Sequence, residues 1–417
     1  MKRELQLVIS NRIRCLCLCL GTSLFFPTLY TGERLAFYIL FILISLVICK
    51  NHYLDKKILE YWIITFVVSL LSILHGYING NPGAIAVVPL YLIYPSIFLY
   101  IIACVFRHDS IRAIHLTICY TGALLSLVNI VMTSNEFFIH NSFINSLSDF
   151  FNYSYGFEIG AVSFSSHLMD SACYIFAYNL SCYLLGLDTY DRSNKLVVII
   201  SMFLSLCVVL VGQSRMQWLL AIVTPVIIVL FCKRANLKTS LFSRRNLAII
   251  TFLVIAMMYA IISIFEFDLL YEKLLSSFDF STDDSNLERT LQFKALTRDF
   301  FSSPIIGHGQ GHVSSYLRNF EMPWSYEMIY NYLLAADGIL GFSIYVIATI
   351  WIFAKSFRIA KRSPIYAHYL IPQIVGLMVI ILASESNPYL LKFDFLWMLF
   401  LPLLTINSYS YDIKRCR

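Results

Sequence analysis

The chain has 417 residues, 59% of them hydrophobic and 13% charged, with 31 Lys and Arg against 25 Asp and Glu for a net charge of +6. Ordinary soluble domains carry about 45–50% apolar and about 25% charged residues, so this composition excludes a water-soluble enzyme, a disordered chain and a disulfide scaffold. A mean hydropathy of +0.72, with apolar runs spread along the chain, makes the membrane its solvent, and the basic excess reads as topology rather than as a nucleic-acid patch.

A helix needs ~20 apolar residues to cross ~30 Å of hydrocarbon. By that measure the candidate spans are residues 15–30, 35–49, 58–78, 84–106, 111–133, 160–187, 196–212, 216–232, 247–265, 326–353, 366–383 and 395–408. The expected fold is an all-α integral membrane protein of about twelve transmembrane helices. The first span follows Lys2, Arg3, Arg12 and Arg14 without a small-residue cleavage site, so it reads as retained. Lys and Arg are held on the cytoplasmic side. Placing both termini there leaves only Arg34, Arg215, Lys273, Arg289, Lys294, Arg298, Arg318 and Lys392 outside. Two inner clusters, Lys233 to Arg245 and Lys355 to Arg362, then place residues 266–326 outside as one long loop. The expected organisation is nine spans over residues 1–265, the loop 266–326, and three spans with an inner tail over 327–417.

The 11 cysteines lie in apolar segments or at their ends with no CxxC pair, so no disulfide is expected. Cys15, Cys17 and Cys19 alternate at the start of the first span without further ligands near them in sequence, which favours packing over metal. A second outer loop, residues 134–159, is rich in Asn, Ser, Phe and Tyr. It suits either sugars, through aromatic stacking and amide hydrogen bonds, or an interfacial aromatic belt.

Within the long loop, DDSNLERTLQFKALTRDFFSSP reads as a helix, opened by a capping box of Ser285 with Glu288 and stopped by Pro304. Leu287, Leu291 and Ala295 share one face and Arg289, Phe293, Leu296 and Phe300 another. Arg289 and Arg298, nine residues apart, point to opposite sides. Arg289 falls in the first helical turn, where free N–H groups and the dipole favour an anion, and is the expected phosphate ligand. GHGQGH, Gly307 to His312, follows, its alternate glycines allowing sharp turns and a close approach to a ligand. His308 and His312 lack a third ligand at a suitable spacing, so no metal site is expected there. From Glu327, helical spacing puts Glu327, Asn331, Leu334 and Gly338 on one cavity-lining face at the membrane boundary. Arg215, in the turn GQSRMQW between two apolar spans, suits a lipid diphosphate, since a guanidinium stays charged and grips phosphate through paired hydrogen bonds.

These residues resemble the O-antigen ligase and polymerase family of bacterial membrane proteins. Three segments carry the resemblance: the SRMQW turn, the loop ERTLQFKALTRDFFSSPIIGHGQG and the helix ending LLAADGILGF, which occur in family order over residues 212–343. The resemblance implies a fold similar to C-type glycosyltransferases in a bacterial inner membrane. It also implies an undecaprenyl-diphosphate-linked oligosaccharide as substrate, with no cofactor, nucleotide sugar or required metal. Membrane lipids, a flippase and a chain-length regulator are the implied partners.

The resemblance carries the diphosphate-binding role onto Arg215 and Arg289. The ligase branch has a His-Asn pair eleven residues before the first glycine of GxxG, and here that offset from Gly338 falls on Glu327 and Met328, a departure that favours the polymerase branch. The implied reaction is attack by a hydroxyl on the anomeric carbon of a diphosphate-linked glycan. Glu327 is the expected base, with Glu321, His308 and His312 as alternatives, and His308, His312 and Asn331 are expected to contact substrate. Two rival readings stand beside it: an O-antigen ligase, and a twelve-helix secondary transporter in which His167 and Asp170 pass protons.

Overall fold

The computed structural model describes residues 2–26, 31–48, 52–135, 141–150, 154–158, 161–165, 171–186, 192–212, 215–237, 284–385 and 387–416. In chain order these form α1 (Lys2–Phe25), α2 (Thr31–Ile48), α3 (Lys56–Ile78), a π-helical turn (Pro89–Ile93) leading into α4 (Tyr94–Cys104), α5 (His108–Ser134) and α6 (Ser142–Phe150). An antiparallel hairpin of β1 (Ser154–Glu158) and β2 (Ala161–Ser165) follows, with Gly156 opposite Ser163. The remaining helices are α7 (Ala172–Leu185), α8 (Arg192–Val211), α9 (Arg215–Arg234), α10 (Asp284–Ser302), α11 (Ile329–Arg362), α12 (Pro364–Ala383) and α13 (Phe393–Cys416).

Helices α3, α5, α8, α9, α11 and α12 are long and apolar enough to cross a membrane, as a multi-pass membrane protein requires. The expected span 84–106 is divided into the π-helical turn and the 11-residue α4. The expected span 160–187 resolves into β2 and the 14-residue α7, so a single long helix there is corrected. Residues 247–265, His167 and Asp170 lie outside the described residues.

The chain divides into two compact units. In the first (Met1–Cys49, Arg107–Leu274 and Ser356–Ile380), α5 packs against α1, α7 and α8, and α9 against α7 and α8. Every residue from Ala172 to Leu184 of α7 is buried, which a sequence that is apolar on all sides requires. Its one amide, Asn179, donates to the Ile175 carbonyl and to Ser201 Oγ of α8, both at 2.9 Å. The asparagines near residues 134–159 also pair with one another. Asn135 Nδ2 donates to Asn145 Oδ1 at 2.6 Å, and Asn135 Oδ1 accepts from the Asn141 N–H at 2.7 Å, so these amides fix the loop's own backbone.

In the second unit (Lys50–Phe106, Leu275–Lys355 and Ile381–Arg417), α13 packs against α4 through the fully buried Asn407. Its Nδ2 donates to the Tyr53 and Ile102 carbonyls at 2.9 Å, and its Oδ1 accepts from the Asp55 N–H at 2.8 Å. Asp55 in turn caps α3 by accepting from the Lys57 N–H at 2.8 Å.

The same unit contains a break in α11. Gly338 has φ 62° and ψ −175°, so the helical ladder is interrupted nine residues after it starts. The GHGQGH segment fills the gap with backbone. His308 and Gly309 N–H donate to the Ala335 and Ala336 carbonyls at 3.0 and 2.8 Å, and Ile339 and Leu340 N–H donate to the Pro304 and Ile305 carbonyls at 2.9 and 3.2 Å. Irregular backbone within a span is tolerated where protein satisfies it, which is what this strap does. A Cβ on Gly307 would run into the Ala336 carbonyl, and one on Gly338 into the Ile305 carbonyl. The close approach expected of these glycines is therefore to the protein's own backbone rather than to a ligand.

Candidate functional site

α10 rides alongside the head of α11 in the same direction. Arg289 meets Glu327, Leu296 packs in one apolar cluster with Tyr326, Tyr332, Ala335 and Ala336, and the Pro304 carbonyl meets Ile339. The buried face of α10 is Asn286, Gln292, Ala295 and Leu296, while Leu287, Leu291 and Phe293 are exposed, so each of the two expected faces is buried in part and exposed in part. Because α10 begins at Asp284, Ser285 stands inside it and Arg289 lies in the second turn. The expected capping box and first-turn anion site are corrected: the N–H of Arg289 falls outside the four that a helix start leaves free.

What the structure places around Arg289 is a carboxylate. Arg289 Nε donates to Glu327 Oε2 at 3.2 Å and Arg318 Nη2 to Glu327 Oε1 at 2.6 Å, so each oxygen meets a different guanidinium. The Glu327 side chain is 13% exposed and the two arginines 32% and 33%. Gln292, fully buried, accepts the Glu327 N–H on Oε1 at 3.0 Å, which fixes its orientation and leaves Nε2 as a buried donor without a partner among the described residues. Asn286 Nδ2, six residues earlier in α10, is likewise buried and without a partner among the described residues. Tyr326 sets the position of Arg318. Its hydroxyl accepts the Ser314 N–H at 2.7 Å and donates to the Tyr316 carbonyl at 3.3 Å, two residues before the arginine.

Glu327 precedes α11, which starts at Ile329, and the break follows at Gly338, so the continuous helical face expected from Glu327 to Gly338 is corrected. Asn331 lies half-buried in the first turn of α11, and Glu321 is exposed in a turn where Asn319 Oδ1 accepts its N–H at 2.8 Å.

His308 and His312 form a separate group. Their rings stack at 4.5 Å, His308 Nε2 lies 2.8 Å from Ser302 Oγ, and His312 Nε2 lies 2.9 Å from Asp299 Oδ2. Burial pushes His312 below its ordinary range, and the hydrogen bond it donates to the Asp299 carboxylate opposes the shift. Asp299 is ten residues beyond Arg289, about 15 Å along a helix rising 1.5 Å per residue, so the histidines do not share the Arg289 centre. Among the described residues no three His, Cys, Asp or Glu side chains gather as metal ligands. Arg215 is the first residue of α9, in the first unit.

Sequence reading gave no role to Arg318, Gln292 or Asp337. The buried Asp337, on the turn before the α11 break, accepts from Gln310 Nε2 at 2.8 and 3.0 Å and from Ser72 Oγ, and so pins the glycine strap. An acid inside an apolar span was the signal that could have found it.

Residues 200–336 match the family model described as O-antigen ligase. The match covers about a third of the chain and includes α9, α10, the glycine strap and Glu327. It supports the O-antigen ligase and polymerase family that the motifs resemble, whose members are glycosyltransferase-like enzymes, and a role in O-antigen or polysaccharide assembly. Among curated proteins none matches the chain.

Proposed function

We propose that the chain polymerises surface polysaccharide from polyprenyl-diphosphate-linked repeat units on the outer face of a bacterial cytoplasmic membrane. The observation that carries this reading is the pairing of Arg289 and Arg318 with Glu327, which joins two cations for a diphosphate and one carboxylate for a proton in the segment matching the O-antigen ligase family. In the reaction, a hydroxyl of the incoming repeat unit attacks the anomeric carbon of the growing chain. Its proton passes to Glu327, the new C–O bond forms as the anomeric bond to the diphosphate breaks, and the electron pair leaves with the phosphate oxygen. Guanidinium groups at that oxygen stabilise the charge as it develops. A single displacement inverts the anomeric centre.

Arg215, at the start of α9 in the first unit, is assigned to diphosphate binding as the family resemblance implies. His308, His312 and Asn331 are assigned to the sugars, the histidines far enough along α10 to meet a different part of an oligosaccharide. A flippase and a chain-length regulator are the proposed partners.

The test is to express Glu327→Gln and Arg289→Ala in a strain lacking the native protein and to run the glycolipid on a gel. At least a hundredfold loss of polymer is expected from each, the scale of removing a group that acts on transition-state charge. Ladders of normal length and intensity in both would overturn the reading. The description of the matching family favours a second reading, transfer of finished glycan to an acceptor lipid. Deletion separates the two: loss of a polymerase leaves one repeat unit on its acceptor, whereas loss of a ligase strands long chains on the carrier.

A further inference from the structure

Resting on the polymerase reading, we propose that Arg318 is a second diphosphate-binding residue of the Arg289 site. Glu327 occupies that site as an internal anion until the donor diphosphate displaces it.

The donors around Glu327 outnumber what one carboxylate can use. Two guanidiniums carry ten N–H groups between them, and only one from each arginine meets Glu327. The others have no partner among the described residues. Gln292 Nε2 and Asn286 Nδ2, both buried, add unpaired donors at three residues on either side of Arg289. Buried donors are costly to leave unpaired, and a row of them beside two cations fits a polyanion with several acceptor oxygens. Each arginine is about a third exposed, so a ligand can reach the outward N–H groups.

A carboxylate and a phosphoryl oxygen compete for the same guanidinium edge. When diphosphate takes that edge, both oxygens of Glu327 lose their bound donors, and the carboxylate becomes available for the hydroxyl proton only once the donor is seated. A purely structural ion pair would have no such exchange.

The experiment is binding of farnesyl diphosphate to the full chain in lipid nanodiscs, with thermal midpoints recorded for each variant. Arg318→Ala is expected to raise Kd roughly tenfold, the scale of a lost charged hydrogen bond. Glu327→Gln is expected to lower Kd severalfold, because the internal competitor has lost its charge. Arg318→Lys, which keeps a cation beside Glu327, covers a failure of Arg318→Ala to fold and is expected to raise Kd at least threefold, since a single ammonium cannot replace the fork. Unchanged or weaker binding by Glu327→Gln overturns the exchange, as does wild-type affinity in Arg318→Ala or, where that variant fails to fold, in Arg318→Lys. Binding by the native chain with a flat variant series removes this inference alone. No binding by the native chain at millimolar ligand removes the polymerase reading with it.

Discussion

In helices α5, α7 and α8 of the first unit the buried side-chain pairs are neutral: His115 Nδ1 lies 2.6 Å from the Tyr178 hydroxyl, and Asn179 donates to Ser201 Oγ at 2.9 Å, while Ser126 Oγ and the Oδ1 atoms of Asn129 and Asn179 have no partner among the described residues. Along α10 and the head of α11 in the second unit they are ionic or left over, with Glu327 held by two arginines, His312 paired to Asp299, and Gln292 and Asn286 keeping spare donors. Neutral pairs fix register at little electrostatic cost, whereas charged groups with surplus donors store binding capacity. The contrast teaches where to look for chemistry in a chain whose buried surface is mostly apolar: leftover polar atoms occur in both regions, and paired charges separate a site from a scaffold.

The most damaging test of that contrast strikes the backbone that carries the site. Gly307→Val adds a branched side chain at φ 68°, against the Ala336 carbonyl, and undoes the strap. It is expected to lower the thermal midpoint by more than about 10 °C or to prevent accumulation; a native midpoint would show that the strap is dispensable. Asn179→Leu in α7 leaves Ser201 without its donor and should cost about 1–3 kcal/mol of stability. Polymer made per folded molecule should stay at the native level. A loss of polymer at equal abundance would erase the distinction between scaffold and site.

The smallest effect expected is a pH dependence. Burial holds His312 below its ordinary value, so between the two values the unfolded chain binds more protons than the folded one. The stability this gives is present above pH ~6.5 and is lost as pH falls from there through the lower folded value. Thermal midpoints at pH 7.5 and 5.5 should therefore fall further in the native chain than in His312→Gln, by about 2 °C. Equal shifts would place the His312–Asp299 pair outside the stability balance.

Much of the membrane architecture was legible because hydropathy runs are local. α3, α5, α8, α9, α11 and α12 follow expected spans within a few residues, apart from the longer end of α11. Arg289 and Glu327 were each singled out, but as a lone cation and a lone base. Their pairing was hidden because 38 residues separate them and the helical spacing was counted from Glu327, two residues before α11 begins. The buried face of α10 was not legible, because Asn286 and Gln292 are buried while Leu287 and Leu291 stay exposed, an outcome that apolar periodicity cannot foresee. Arg318 carried no local signal at all, since its position depends on Tyr326 reaching back to Ser314 and Tyr316.

The break at Gly338 also bears on how the molecule assembles. Until residues 304–309 dock, the Ala335 and Ala336 carbonyls and the Ile339 and Leu340 amides have no mates within α11, and in hydrocarbon each such vacancy costs several kcal/mol. The translocating machinery would thus deliver α11 as an incomplete span. Residues 304–309, which follow α10 directly, supply the missing partners, so the break is completed by the segment that joins α10 to the Arg289–Glu327–Arg318 cluster.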